Sequence, residues 1–191
     1  MAKILWKPGT MIYPVPAVMV SCGSVPEEYN IITISWTGTL SSDPPMCYIS
    51  VRPIRHSYQI IKKNREFVIN LTTRKLASVT DWCGVKSGRE FDKFKETGLT
   101  PVKASKVKAP LIEESPLNIE CVVKNIQPLG SHDMFVSEVV AVHADAAYLS
   151  KKDNVFRLSQ AELIAYSHGR YFELGRQVGT FGFSVKKRKK K

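Results

Sequence analysis

Apolar and polar positions alternate over short distances along most of the chain, with a period of two rather than three or four. Ile119, Cys121 and Val123, and again Phe135, Ser137 and Val139, sit on one face of a pleated backbone. Runs rich in Val, Ile and Thr predict strands over residues 17–21, 30–37, 46–51, 67–71, 118–126 and 133–144. Turn residues separate them: Cys22-Gly23-Ser24 with Pro26, Asp43-Pro44-Pro45, and Gln127-Pro128-Leu129-Gly130, the last of which predicts a hairpin. Two helices fit between the strands, over residues 58–64 with Ser57 as N-cap and over residues 76–84. A third is predicted over residues 159–167, where Ser159 and Glu162 match a capping box. Residues 103–116 read as a loop bracketed by Pro110 and Pro116. Many short strands with few helices predict a mainly β fold, a barrel with peripheral helices.

Composition narrows the class. A chain of 191 residues that is 43% hydrophobic is the size of one domain, expected over residues 1–184. No run reaches the roughly 18 apolar residues of a membrane span, and no secretory leader opens the sequence, so a soluble, cytoplasmic protein without membrane contact is expected. Cys22, Cys47, Cys83 and Cys121 are widely spaced with no C-x-x-C pair, which predicts buried free thiols and neither a zinc site nor a disulfide framework. The net charge is +11, but more than half of it is the block 186–191. Residues 185–191 read as a solvated basic tail, and nucleic-acid binding through it would be weak and without sequence preference.

The chemistry must come from elsewhere than a catalytic triad or a phosphate loop. There is no G-x-S-x-G, H-E-x-x-H, P-loop or G-x-G-x-x-G pattern, which removes support for hydrolysis, phosphoryl transfer and a doubly wound nucleotide fold. A polar series on one predicted strand, Asn30, Thr33, Ser35, Trp36, Thr37 and Gly38, suits a flat heteroaromatic ligand with one apolar face. Periodicity alone favours a strand whose Thr and Ser simply face solvent. The next strand runs into Ser50, Arg52, Arg55 and Ser57 at the start of a helix, where free N–H groups, a hydroxyl and planar guanidinium donors can meet an anion. Residues 169–183 hold four glycines among aromatic side chains, fitting either a subunit contact or a cofactor wall.

These stretches together resemble the flavin reductase-like FMN-binding proteins, including the flavoredoxins. The resemblance is carried by N-x-x-T-x-S-W-x-G from Asn30 to Gly38, the Pro44-Pro45 pair, and S-x-R-P from Ser50 to Pro53. It continues in CGVKSGREFDKF from Cys83, PLNIEC from Pro116 and YFELGRQVGTFGFS from Tyr171. It implies a homodimeric split β-barrel with one FMN per subunit. By the same resemblance Asn30, Ser35, Trp36 and Thr37 lie along the isoalloxazine and ribityl groups, and Ser50, Arg52 and Ser57 hold the phosphate with help from Arg55. Lys93 approaches the flavin and tunes it from near N1, and Tyr166, His168 and Tyr171 wall the site, from the same or the partner subunit. The expected activity passes electrons from NAD(P)H to free flavin, ferric complexes or another small acceptor. A flavoredoxin-type carrier between protein partners, with no nicotinamide turnover, is the alternative, and a basic nucleic-acid-binding barrel is the third.

Overall fold

A computed structural model describes residues 1–185; the expected basic block 186–191 lies outside the described residues. Among the described residues twelve strands and three α-helices carry the architecture. In chain order the strands are β1 Val15–Pro16, β2 Val18–Cys22, β3 Asn30–Ile34, β4 Thr37–Ser42, β5 Pro45–Val51 and β6 Glu66–Leu71. They continue with β7 Pro101–Val102, β8 Leu111–Ile112, β9 Leu117–Pro128, β10 Asp133–Ala144, β11 Ile164–Ser167 and β12 Arg170–Glu173. The helices are α1 His56–Asn64, α2 Ala77–Val85 and α3 Lys93–Thr97.

Seven strands form one sheet in the order β3-β2-β6-β9-β10-β5-β4, with every pairing antiparallel. Its two edge strands, β3 and β4, are consecutive in the chain and joined only by Ser35 and Trp36. From Ile34 to Thr37 the chain takes three Cα–Cα steps, at most about 11 Å, so the edges must come together and the sheet must curl on itself. The Ser50 N–H donates to Trp36 O at 2.9 Å, which carries the β4–β5 pairing one residue into the crossing. The closure fills an interior with Val18, Val20, Ile32, Ile49, Phe67 and Phe135, against which α1 packs Tyr58 and Ile61. Outside the barrel, α2 and α3 cover Met19 and Ile31, so β2 and β3 are buried on both faces and read as nearly continuous apolar runs.

The structure corrects four sequence expectations. The strand expected over 30–37 breaks at Ser35-Trp36, because the chain there crosses from one sheet edge to the other, and β4 follows. Ser57 is not an N-cap: α1 starts at His56 with Arg55 in the cap position and no side-chain capping bond. The Ser57 hydroxyl is engaged instead by Asn30, whose Nδ2 donates to Oγ at 2.7 Å. The helix expected over 159–167 is absent. A 3-10 turn covers Leu158–Gln160, Glu162 adopts φ 50°, and the chain then enters β11, which pairs with β1 and β12. Burial of Ile164 and Ala165 in that small sheet outweighs the local capping signal, and His168-Gly169, both at positive φ, form the hairpin turn. Finally, the 103–116 stretch contains β8, which pairs with β7.

That stretch is fastened by two carboxylates, Glu66, which accepts from the Lys108 N–H at 2.7 Å, and Glu120. Glu120 on β9 is fully buried and accepts from the N–H groups of Ser105, Lys106 and Val107 and from the Ser105 hydroxyl. His143 Nε2 completes the set at 2.5 Å from Oε1. Burial alone would push this carboxyl up, but the hydrogen bonds from Ser105, His143 and Lys106 outweigh it and hold it at about 2. Among the described residues no helix is long and apolar enough to cross a membrane, and the four cysteines are free and buried.

Candidate functional site: two joined cavities at the barrel seam

Where β3 breaks and crosses to β4, the barrel opens. A cavity of about 400 Å³ lies there, floored by Ile32, Thr33 and Ile34 of β3 and by Ser35 and Trp36 of the seam. Ser50, Arg52 and Arg55 enter from the end of β5 and the turn after it. Tyr166 and Tyr171 enter from the β11–β12 hairpin, their rings edge to face with centroids 5.5 Å apart. The Tyr171 hydroxyl donates to Asp81 Oδ1 at 3.1 Å, and burial followed by that carboxylate pushes the phenol up to about 12. His132, at the β9–β10 turn, stacks against Trp36 at 4.5 Å. Its imidazole is held below the usual histidine range, by burial first and by the charges of Arg52 and Arg55 second, which favours the neutral ring.

A second cavity of about 120 Å³ adjoins the first and shares Ile32, Arg55 and Gly84 with it. Its walls are the first turn of α1, at Arg55, His56 and Ser57, and the loop at Lys86, Ser87 and Gly88. The first N–H groups of a helix have no intrahelical partner, so an uncapped α1 offers donors to an anion here. Asn30 and Lys93 close the back. Lys93 is 3% exposed, and its Nζ donates to Ile31 O at 2.7 Å and Cys83 O at 2.6 Å. Burial lowers its pKa, partly offset by Cys83 and Cys22. An ammonium has three donors, so one remains for a ligand.

Most of the residues singled out from sequence therefore converge, but in two compartments. Ser35, Trp36, Ser50, Arg52, Tyr166 and Tyr171 line the larger cavity, all from one chain. Asn30, Ser57 and Lys93 line the smaller, and Arg55 lines both. Lys93 is thus beside the helix N-terminus and not on the wall of the larger cavity. Thr37 and His168 line neither: the Thr37 hydroxyl donates to Tyr48 O, and His168 stacks on Tyr13 at 4.2 Å. Sequence reasoning missed Tyr13, Asp81 and His132. Only the hairpin residue His132 had a local signal, its place just after the Pro128/Gly130 turn.

Comparison with known proteins agrees with this architecture. The flavin reductase like domain family matches residues 10–175. An uncharacterized protein of Pyrococcus abyssi is 34% identical over 146 residues, which is 76% of this chain and 83% of that protein. Among solved structures, the flavoredoxin of Desulfovibrio vulgaris (Miyazaki F) superposes with a TM-score of 0.88 at 27% identity, covering 97% of this chain and all (100%) of that one. An FMN-binding protein from Thermus thermophilus superposes with a TM-score of 0.78 at 24% identity, over 94% of this chain and 99% of that one. With its mainly β barrel, its paired cavities and a family match over most of its length, the chain belongs to the flavin reductase-like domain family.

Proposed function

We propose that the chain binds FMN, with the isoalloxazine ring in the larger cavity and the phosphate in the smaller, and that it transfers electrons through the bound cofactor. The observation that carries this reading is that an aromatic-walled cavity lies next to a small cationic one, with Ile32, Arg55 and Gly84 as their common wall. The donor set fits the group. Trp36, Tyr166 and Tyr171 offer flat surfaces, Ser35 and Ser50 offer hydroxyls, and Arg55, Lys93 and the first turn of α1 suit a dianionic phosphate. FMN when bound supplies hydride acceptance and one- or two-electron release. The protein's share is to bind, to orient and to shape the electrostatics. Trp36 and His132 wall the ring site and limit water there. Burial and the two arginines favour the neutral His132 ring; its Nδ1 pairs with Ser131 Oγ at 2.9 Å, which leaves Nε2 for the cavity.

NAD(P)H as donor and a small molecule as acceptor is the first reading, and an NADPH-flavin oxidoreductase of Streptomyces viridifaciens, 26% identical over 113 residues, supports it. The carrier reading is favoured by the end-to-end likeness to the Desulfovibrio flavoredoxin. A nucleic-acid-binding barrel finds no support in the site. We read the protein as a homodimer, because Trp6, Met11, Ile12, Phe172 and Leu174 expose apolar surface on the two terminal segments. Flavin absorption of the purified protein, titration with FMN and riboflavin, and anaerobic mixing with NADH and NADPH test the reading. A colourless protein with no preference for FMN over riboflavin defeats it, and a bound flavin that neither nucleotide bleaches leaves the carrier. Sedimentation as a monomer at micromolar concentration defeats the dimer.

A further inference from the structure

Two loops form the rim beside the joined cavities. One is the turn after β5, closed by the Arg55 N–H donating to Arg52 O at 3.0 Å. The other leaves α2 and turns at Ser87, which accepts from the N–H groups of Glu90 and Phe91 at 3.1 Å each. Arg55 Nη1 reaches Gly84 O at 3.5 Å and ties the two together. Four cations are exposed on these loops, Arg52, Arg55, Lys86 and Arg89, and none of them forms an ion pair among the described residues. The acidic side chains on the same loops and helix end are Asp81, Glu90 and Asp92; Asp81 accepts from Tyr171 and Asp92 from the Lys95 N–H. Amid the cations two exposed aliphatic side chains stand at the cavity mouths, Ile54 at the smaller with 64% exposure and Val85 at the larger with 69%.

We propose that this rim docks an acidic electron-carrier protein whose carboxylates surround its own redox centre. The inference rests on reading the cavities as the flavin site, since only then does the rim border a redox group. With Arg55 given to the phosphate, Arg52, Lys86 and Arg89 remain beside such a site to attract an anionic partner over roughly a Debye length, about 10 Å at 0.1 M salt, and to orient it before contact. Exposed Ile54 and Val85 then give the encounter a small apolar centre. A protruding pair of aliphatic side chains suits a flat protein surface better than a dinucleotide, which needs a concave seat. Small, polar interfaces of this kind are typical of weak electron-transfer encounters.

The test uses the full chain loaded with FMN and, as probe, an oxidised plant-type [2Fe–2S] ferredoxin with an acidic surface. Binding is followed by calorimetry at low and high salt, beside separate titrations with FMN and NADPH. Ferredoxin binding that weakens steeply with salt, and falls at least about threefold in Arg89→Glu, which lines neither cavity, while FMN affinity stays within about twofold, supports the proposal. No ferredoxin binding by a chain that holds FMN overturns the docking surface alone. Charge reversal that leaves ferredoxin binding intact, or weakens only NADPH binding, overturns it too. Parallel loss of FMN affinity assigns the cations to the cofactor, and a chain that binds no flavin overturns this proposal together with the reading beneath it.

Discussion

Gly88 lies so close to Asn30 that no side chain fits between them: a Cβ on Gly88 would fall 2.7 Å from Asn30 Cγ and closer still to Oδ1. The Asn30 side chain has little room to retreat, being buried with Nδ2 bonded to Ser57. The glycine therefore lets the Lys86–Gly88 wall of the smaller cavity approach the α1 wall. Gly88→Ala should force the loop or the amide outward at a cost of about 1–3 kcal/mol. FMN affinity is expected to fall about tenfold or more, and riboflavin affinity much less, in parallel fluorescence titrations. Equal losses for the two flavins would place the phosphate elsewhere.

Arg55 is the one cation that lines both cavities, whereas Arg52 lines only the larger. A charge-assisted hydrogen bond contributes about 1.5–3 kcal/mol, or roughly ten- to a hundredfold in affinity. Arg55→Ala should therefore narrow the preference for FMN over riboflavin more than Arg52→Ala does. Trp36→Ala should weaken both ligands alike through lost ring contact. Titrations of the three variants at fixed salt check the order, and a larger loss of preference in Arg52→Ala would reverse the assignment.

Strand periodicity made most of the barrel legible, because a half-buried strand writes its two faces alternately into the sequence. The alternation over positions 133–144 predicts a strand with the bounds that β10 has. The break at Ser35-Trp36 was not legible, since both sides are strand and only closure of the sheet requires a crossing. Nor was β11: the Ser159/Glu162 pair carries a true helix-start pattern, and what defeats it is pairing with Val15–Pro16, nearly 150 residues away in sequence. At the site, motif residues on neighbouring segments were found together, while Asp81 and Tyr13 arrive from distant elements with no local mark. The assignment of Ser57 as a cap failed for a related reason, because its partner, Asn30, lies 27 residues upstream.

Glu120 should make the protein acid-sensitive. Its carboxyl is held at about 2 in the fold, against an ordinary value of 4.5. A depressed carboxyl contributes stability that is fully present above the ordinary value and is lost as pH falls from 4.5 toward 2. Glu120→Gln keeps the size but turns an amide NH₂ toward backbone N–H donors, and is expected to cost about 2–3 kcal/mol at neutral pH. Denaturant unfolding from pH 7 to pH 3 should show a shallower decline in the variant. An unchanged slope would mean that other carboxylates dominate acid unfolding.

Lys93 separates two roles for a buried cation. Near the flavin ring it would raise the reduction potential; in the smaller cavity it serves the phosphate and the fold. Its Nζ bonds to Ile31 O and Cys83 O tie β3 to the end of α2, and truncation leaves both carbonyls without that partner. Lys93→Ala should therefore destabilise by about 1–3 kcal/mol per carbonyl left buried and unpaired, seen as a lowered denaturation midpoint. Lys93→Met retains most of the side-chain volume and isolates the charge. In Lys93→Met we expect FMN affinity to drop at least about tenfold with riboflavin nearly unaffected. At saturating FMN the two-electron potential should move by less than about 30 mV, the equivalent of roughly 1.4 kcal/mol. A larger negative shift, with both flavins weakened equally, would return Lys93 to the ring.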